Sequence, residues 1–291
     1  MATVSEQIKS LPPDWGRPVA AVNGDFYHNS KNYPGDPDGL QIARGELVSA
    51  PVATRACFWI DASGNPHRGE VQPLFKVIWP DGSSTPIGLN EERGEVAAVL
   101  YTSAIDDSTR TSGGLELVLQ QGGTGAGQKL QVGQSHTLRV TQWNSTGNSP
   151  MQHGWLVLSL GPKILAGIPK ISLGATVTFS TATQPELTGV KTGVGGGPTL
   201  VAARHPRTAI GWNNRFIFLV EVDGRQPGLS VGMTFSELAE QMIKLGCDEA
   251  INLDGGGSAT CWFLGNVMNS PSEGQERPGA NSLVVLQKPK P

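Results

Sequence analysis

Short apolar runs broken by Gly, Pro, Asn and Ser dominate this chain, and runs of that kind predict strands. From about Asp14 to Asn90 they begin with Pro18-Val19-Ala20-Ala21-Val22, behind a short helical lead-in, and are separated by turn-forming clusters at 61–66 and 80–83. From about Glu95 to Thr183 the runs 116–119, 137–140, 156–160 and 175–179 show no helical periodicity. The glycine-rich segment 122–127 reads as a hairpin tip, because no P-loop Lys-Ser/Thr pair follows it. Past Val190 the pattern changes. A strand at 215–222 ends in Asp223-Gly224. Thr234 with Glu237 three residues on is a capping box, and Leu238, Met242 and Leu245 recur at helical spacing. Gly246 sits where a helix end favours positive φ, and the chain re-enters a strand at 249–253. A last apolar run, 282–286, reads as a closing strand. Strand, helix, strand in this order predicts a βαβ-like crossover. The fold expected is α/β (α+β): a mixed β-sheet core with flanking helices and a β-rich middle region at about 95–183, in a single domain over 1–291.

Composition narrows the class. The chain has 291 residues and a formal charge of −3, and only 16% of it is Asp, Glu, Lys or Arg. Its basic residues are scattered rather than clustered, which argues against a nucleic-acid partner. No apolar run is long enough to span a bilayer as a helix. No leader is legible at Met1, and a strand follows almost at once. That start suggests a trimmed mature chain, so a secreted, periplasmic or envelope-associated protein is expected. Cys57, Cys247 and Cys261 sit in apolar contexts and read as buried structural residues; a Cys247–Cys261 disulfide is left open. Trp59 and Trp79 read as core, although tryptophans also suit sugar stacking.

The candidate chemistry repeats one device, in which a strand end, glycines and a polar group follow each other. In Asn252-Leu253-Asp254-Gly255-Gly256-Gly257-Ser258 a buried strand delivers a carboxylate to glycines whose N–H groups can nest an anion. The same segment also reads as a plain glycine turn. In His205-Pro206-Arg207-Thr208 the guanidinium suits phosphate, or else a structural ion pair, and His205 is a weaker candidate acid. Asn23-Gly24-Asp25 brings a second carboxylate or a hairpin turn, and Gly195-Gly196-Gly197-Pro198 a second glycine cluster. An open sheet builds a site at its strand ends in this way.

Taken in order, these segments resemble the phosphodiester glycosidase family. Val222-Asp223-Gly224-Arg225-Gln226, Arg277-Pro278-Gly279-Ala280-Asn281 and the stretch from Tyr101 to Thr111 add to the resemblance, which extends from about Trp15 to Gln287. It implies hydrolysis of a sugar-1-phosphodiester, for example of N-acetylglucosamine, to free sugar and phosphomonoester. The reaction demands a cationic or N–H-rich phosphate site and a carboxylate at the anomeric carbon. On this reading Asp254, then Asp25, supplies the carboxylate. Arg207 holds phosphate, with Thr208 and the amides of Gly255, Gly256 and Gly257; Arg277 adds charge. Asn23, Gly24, Gly196, Gly197, Asn252 and Ser258 meet the substrate or orient the carboxylates. Asp223 and Arg225 are expected to pair structurally. No metal or cofactor is required; Ca²⁺ at Asp25 and Asp254 is the weaker option, without a dedicated loop. Two other readings stay open: a phosphodiesterase on a sugar phosphate or polysaccharide, and a non-catalytic module binding an envelope polysaccharide.

Overall fold

The computed structural model describes residues 1–29, 33–120, 129–197 and 202–288. The expected hairpin tip at 122–127, and the part of the second glycine cluster from Pro198 on, lie outside them. Strands make up 41% of the structure and helices 9%, so the expectation of flanking helices overstated them. Among the described residues the chain, rich in turn residues and with short apolar runs, forms two brief α-helices, Val4–Lys9 and Phe235–Lys244.

An eight-stranded sheet holds the largest core. In spatial order its strands are Ser84–Pro86, Lys76–Ile78, Thr176–Ser180, Ser135–Asn144, Leu115–Gln120, Leu156–Leu160, Ala98–Thr102 and Gly88–Leu89. All its pairings are antiparallel except the last. Trp59, Trp79, Phe75, Leu117 and Leu158 belong to this core, as the sequence leads one to expect of the two tryptophans. The buried carboxylate of Glu116 is saturated by Thr109, Thr111 and the Ser149 amide at 2.7–2.8 Å, which fixes the loops around it.

Three smaller sheets carry the site. Arg17–Asn23 lies between Cys261–Phe263 and the closing strand Ser282–Gln287, so the chain's first long strand pairs with its last. Thr192–Gly195 pairs with Ala56–Ile60 and Gln41–Ala43. Arg207–Trp212 lies between Ile217–Val222 and Glu249–Asn252, antiparallel to both. Those outer two strands therefore run parallel to each other, and the Phe235–Lys244 helix connects them. The expected crossover exists, but it steps over a strand. The Thr234–Glu237 capping box is present, and Leu238 and Met242 pack on Ala209, Val220 and Val222. Leu245, expected on that face, is instead the C-cap and 41% exposed, because the helix ends before the third repeat. Gly246 takes φ +86°. Val22, Phe58, Val194, Ile210, Ile251 and Leu253 form a second core that holds these sheets together just below the strand ends.

Candidate active site

The ends of Arg17–Asn23, Arg207–Trp212 and Glu249–Asn252 are tied by one side chain. Asn23 donates from Nδ2 to the Asp254 carbonyl (2.7 Å), and its Oδ1 accepts from the Thr208 hydroxyl (2.7 Å) and the Thr260 amide (3.0 Å). The Asp254 amide donates to the Gly24 carbonyl at 2.9 Å. Asn23 and Thr208, expected at the substrate, are thus spent on positioning Asp254, and Thr208 is wholly buried.

Asp254 opens onto a pocket of about 240 Å³ that it shares with Phe26, His205, Arg207, Arg225, Gly255, Gly256, Gly257 and Arg277. Burial raises its carboxyl above the ordinary range; Ser258, the Gly255 amide, Arg277 and Arg55 oppose the rise. The Gly255 amide donates to Asp254 Oδ1 (2.8 Å) and the Gly256 amide to the Pro206 carbonyl (3.0 Å). The three-amide nest foreseen in the sequence is therefore mostly used internally. Of its glycine amides, Gly257's has no hydrogen-bond partner among the described residues. Gly256 needs its glycine, since it takes φ +63° against the Arg225 guanidinium. Ser258 Oγ is buried and makes no hydrogen bond of good geometry, although it lies near enough to favour the ionised Asp254.

Positive charge is concentrated in the same pocket. Arg207 is 4% exposed, stacks on Phe235 at 3.9 Å, and donates to the Met233 (2.8 Å) and Ala203 (2.9 Å) carbonyls. It is an anchored charge in the wall rather than a mobile clamp. Arg225 instead reaches into the pocket and donates from Nε to His205 Nδ1 at 3.1 Å. Its backbone sits at φ +59°, an uncommon conformation for a residue with a side chain. The expected Asp223–Arg225 pair does not form; Asp223 accepts from the Ser270 amide (2.9 Å) and Asn269 (3.4 Å). Burial, then Arg225 and Arg207, push His205 down, so it resists protonation and suits donating from Nε2 better than acting as an acid. Arg277 lines the pocket beside Gly257 and pairs with Glu273, which holds its charge.

Asp25 is recessed behind this wall and only 2% exposed. Oδ1 accepts from the Phe26 amide (2.8 Å) and Arg55 Nη2 (2.9 Å), whereas Oδ2 has no hydrogen bond and lies against Gly195 and Gly39. Burial drives its pKa to about 6 despite Arg55. Asn252 donates to the Leu253 (2.6 Å) and Gly197 (3.2 Å) carbonyls, and the Gly197 amide returns a bond to the Asn252 carbonyl at 2.8 Å. Gly24 is pressed on Asn281, whose Oδ1 accepts from the Asp25 amide (2.9 Å). Buried polar atoms of Asp25, Asn252, Ser258, Thr260 and Asn281 have no partner among the described residues. Phe26, Arg55 and Asn281 have no role assigned from the sequence, and Arg225 only that of a structural partner for Asp223; yet Arg225 follows a strand end and a glycine, the signal that singled out Asp254. No group of three metal-ligating side chains occurs among the described residues. The three cysteines are free thiols.

The sequence model of the phosphodiester glycosidases matches residues 112–286. The chain belongs to the phosphodiester glycosidase family. The matched span contains Arg207, Arg225, Asp254 and Arg277, which meet in the pocket just described. Among curated relatives, the uncharacterized SPbeta prophage-derived protein YomE of Bacillus subtilis strain 168 is 35% identical over 83 residues, 28% of this chain and 13% of that protein. A candidate exported protein of Burkholderia pseudomallei K96243 shares the fold at a TM-score of 0.74 and 22% identity, over 98% of this chain and 68% of that one. A hypothetical protein from Synechocystis does so at 0.70 and 20%, over 97% and 52%. The chain therefore spans about an eighth of the prophage protein and half of the Synechocystis protein.

Proposed function

We propose that this member of the phosphodiester glycosidase family hydrolyses the glycosidic bond of a sugar-1-phosphodiester, such as one of N-acetylglucosamine, giving free sugar and a phosphomonoester. One observation carries the reading: a half-buried carboxylate, Asp254, shares a pocket with three arginines and a histidine. That is the charge distribution this reaction needs, with positive charge around the phosphate and negative charge facing the anomeric carbon.

Arg225 and Arg277 hold the phosphodiester through charge-assisted hydrogen bonds. Arg207 adds fixed positive charge from the wall, and the Gly257 amide and His205 Nε2–H complete the donors. The bond between C1 and the phosphate oxygen breaks, and its electron pair leaves with the phosphate. Asp254 stabilises the positive charge left on the sugar. Water supplies hydroxyl to C1, and its remaining proton goes to solvent or to the released phosphomonoester. A phosphate leaving group stabilised by three arginines needs no strong acid. The likeness in fold to a candidate exported protein supports placing this reaction in the envelope or outside the cell.

A small panel of sugar-1-phosphodiesters and UDP-sugars, assayed with wild type and Asp254→Asn, tests the proposal. Wild type is expected to release free sugar, and the variant to lose on the order of a thousandfold in kcat while keeping its melting temperature. A folded, fully active Asp254→Asn enzyme would refute the assignment.

A further inference from the structure

Arg55 is not part of the pocket lining, yet it organises the pocket's back wall. It stands just before the Ala56–Ile60 strand, and its side chain is largely buried. One arm, Nη2, meets Asp25 Oδ1 at 2.9 Å; the other, Nη1, meets Asp38 Oδ2 at 2.7 Å and also the Asp38 carbonyl. His28 Nε2 holds the other Asp38 oxygen at 2.9 Å. The guanidinium lies 5.3 Å from the centre of the Phe26 ring, and Phe26 forms part of the pocket wall. The Asp38 amide donates to the Phe26 carbonyl at 2.9 Å. Arg55 thus closes a ring through Asp25, Phe26 and Asp38. Asp25 joins that ring to the Gly24 carbonyl that receives the Asp254 amide.

We infer that Arg55 is a positioning residue for the Asp254 pocket, acting through Asp25 and Phe26, with Asp38 fixing its guanidinium. The inference rests on the function proposed above. It gives Asp25 a role its burial allows: anchoring a cation rather than touching substrate. A planar fork can bridge two carboxylates at once, whereas a lysine ammonium is a point charge. The charge of Arg55 also reaches Asp254 and favours its ionised form, together with Arg277, Ser258 and the Gly255 amide. Arg207, Arg225 and His205 face the same pocket.

Arg55→Gln and Arg55→Lys test this with two readouts. The first is kcat and KM across pH on a sugar-1-phosphodiester. The second is titration of the Asp254 carboxyl by ¹³C NMR, its signal assigned by loss in Asp254→Asn, which needs no turnover. Arg55→Gln is expected to lower kcat about ten- to a hundredfold with little change in KM. It should also move the acidic limb of the pH profile and the Asp254 titration to higher pH. Arg55→Lys should restore the titration but not kcat, because charge returns without the fork. Should Arg55→Gln fail to fold, Asp38→Asn is the substitute, since it removes the negative charge that faces Nη1 at a partly exposed carboxylate; a several-fold drop in kcat is expected. A folded Arg55→Gln whose kcat, Asp254 titration and pH profile match wild type would overturn the inference. A wild type without turnover, but with the Asp254 titration displaced in Arg55→Gln, would overturn the proposed reaction and leave the positioning role standing.

Discussion

Asp25 shows how burial changes a residue's part. Its carboxyl lies well above the usual 3.8, at about 6, because the gain from Arg55 does not match the cost of burial. Between those two pH values the folded chain holds a proton that the unfolded chain has lost. The stability Asp25 contributes is therefore fully present below about pH 4 and is lost as pH rises through 6, by on the order of 3 kcal/mol. Melting temperatures of wild type and Asp25→Asn across pH 4 to 8 check this. The variant should gain on wild type as pH rises, levelling off above about 7; a constant difference would mean that Asp25 does not titrate in this range. Asp254, legible in the sequence from its strand end and glycines, opens onto the pocket. Asn23 and Thr208 carried the same local signal, but their partners lie 185 residues apart, and no neighbouring sequence tells that their polar atoms are consumed by each other.

At the level of elements, glycines decide how closely the strand ends approach. A Cβ on Gly196 would stand 2.7 Å from the Asn252 carbonyl oxygen, a separation that forces the backbone to move. Gly196→Ala is accordingly expected to push the Thr192–Gly195 strand end from the Asn252–Asp254 turn. It should cost about 1–3 kcal/mol in denaturant unfolding and more in kcat than in KM. Unchanged unfolding and kinetics would show that the approach is slack. Short strands, the Thr234 cap and Gly246 were readable because their causes are local. The stepped-over crossover and the wholly antiparallel pairings of the three smaller sheets were not, because pairing is settled by which apolar faces meet in the second core.

Across the whole molecule, the site exists because distant segments converge. Asn23 and Asp25 come from the first long strand and the turn beyond it; Asn281 lies just before the closing strand that pairs with it. The sequence shows each segment and its order, and those segments resemble a family to which the chain belongs. It does not show that Arg225 lines the pocket beside Arg207, nor that the Arg207 guanidinium is held there by the Met233 carbonyl and the Phe235 ring. The central claim is that the chain breaks the bond between carbon and oxygen at the anomeric centre. Hydrolysis of a sugar-1-phosphodiester in ¹⁸O-water, followed by mass spectrometry of both products, tests it most directly. Label is expected in the sugar and not in the phosphomonoester; label in the phosphate would show cleavage at phosphorus and overturn the assignment.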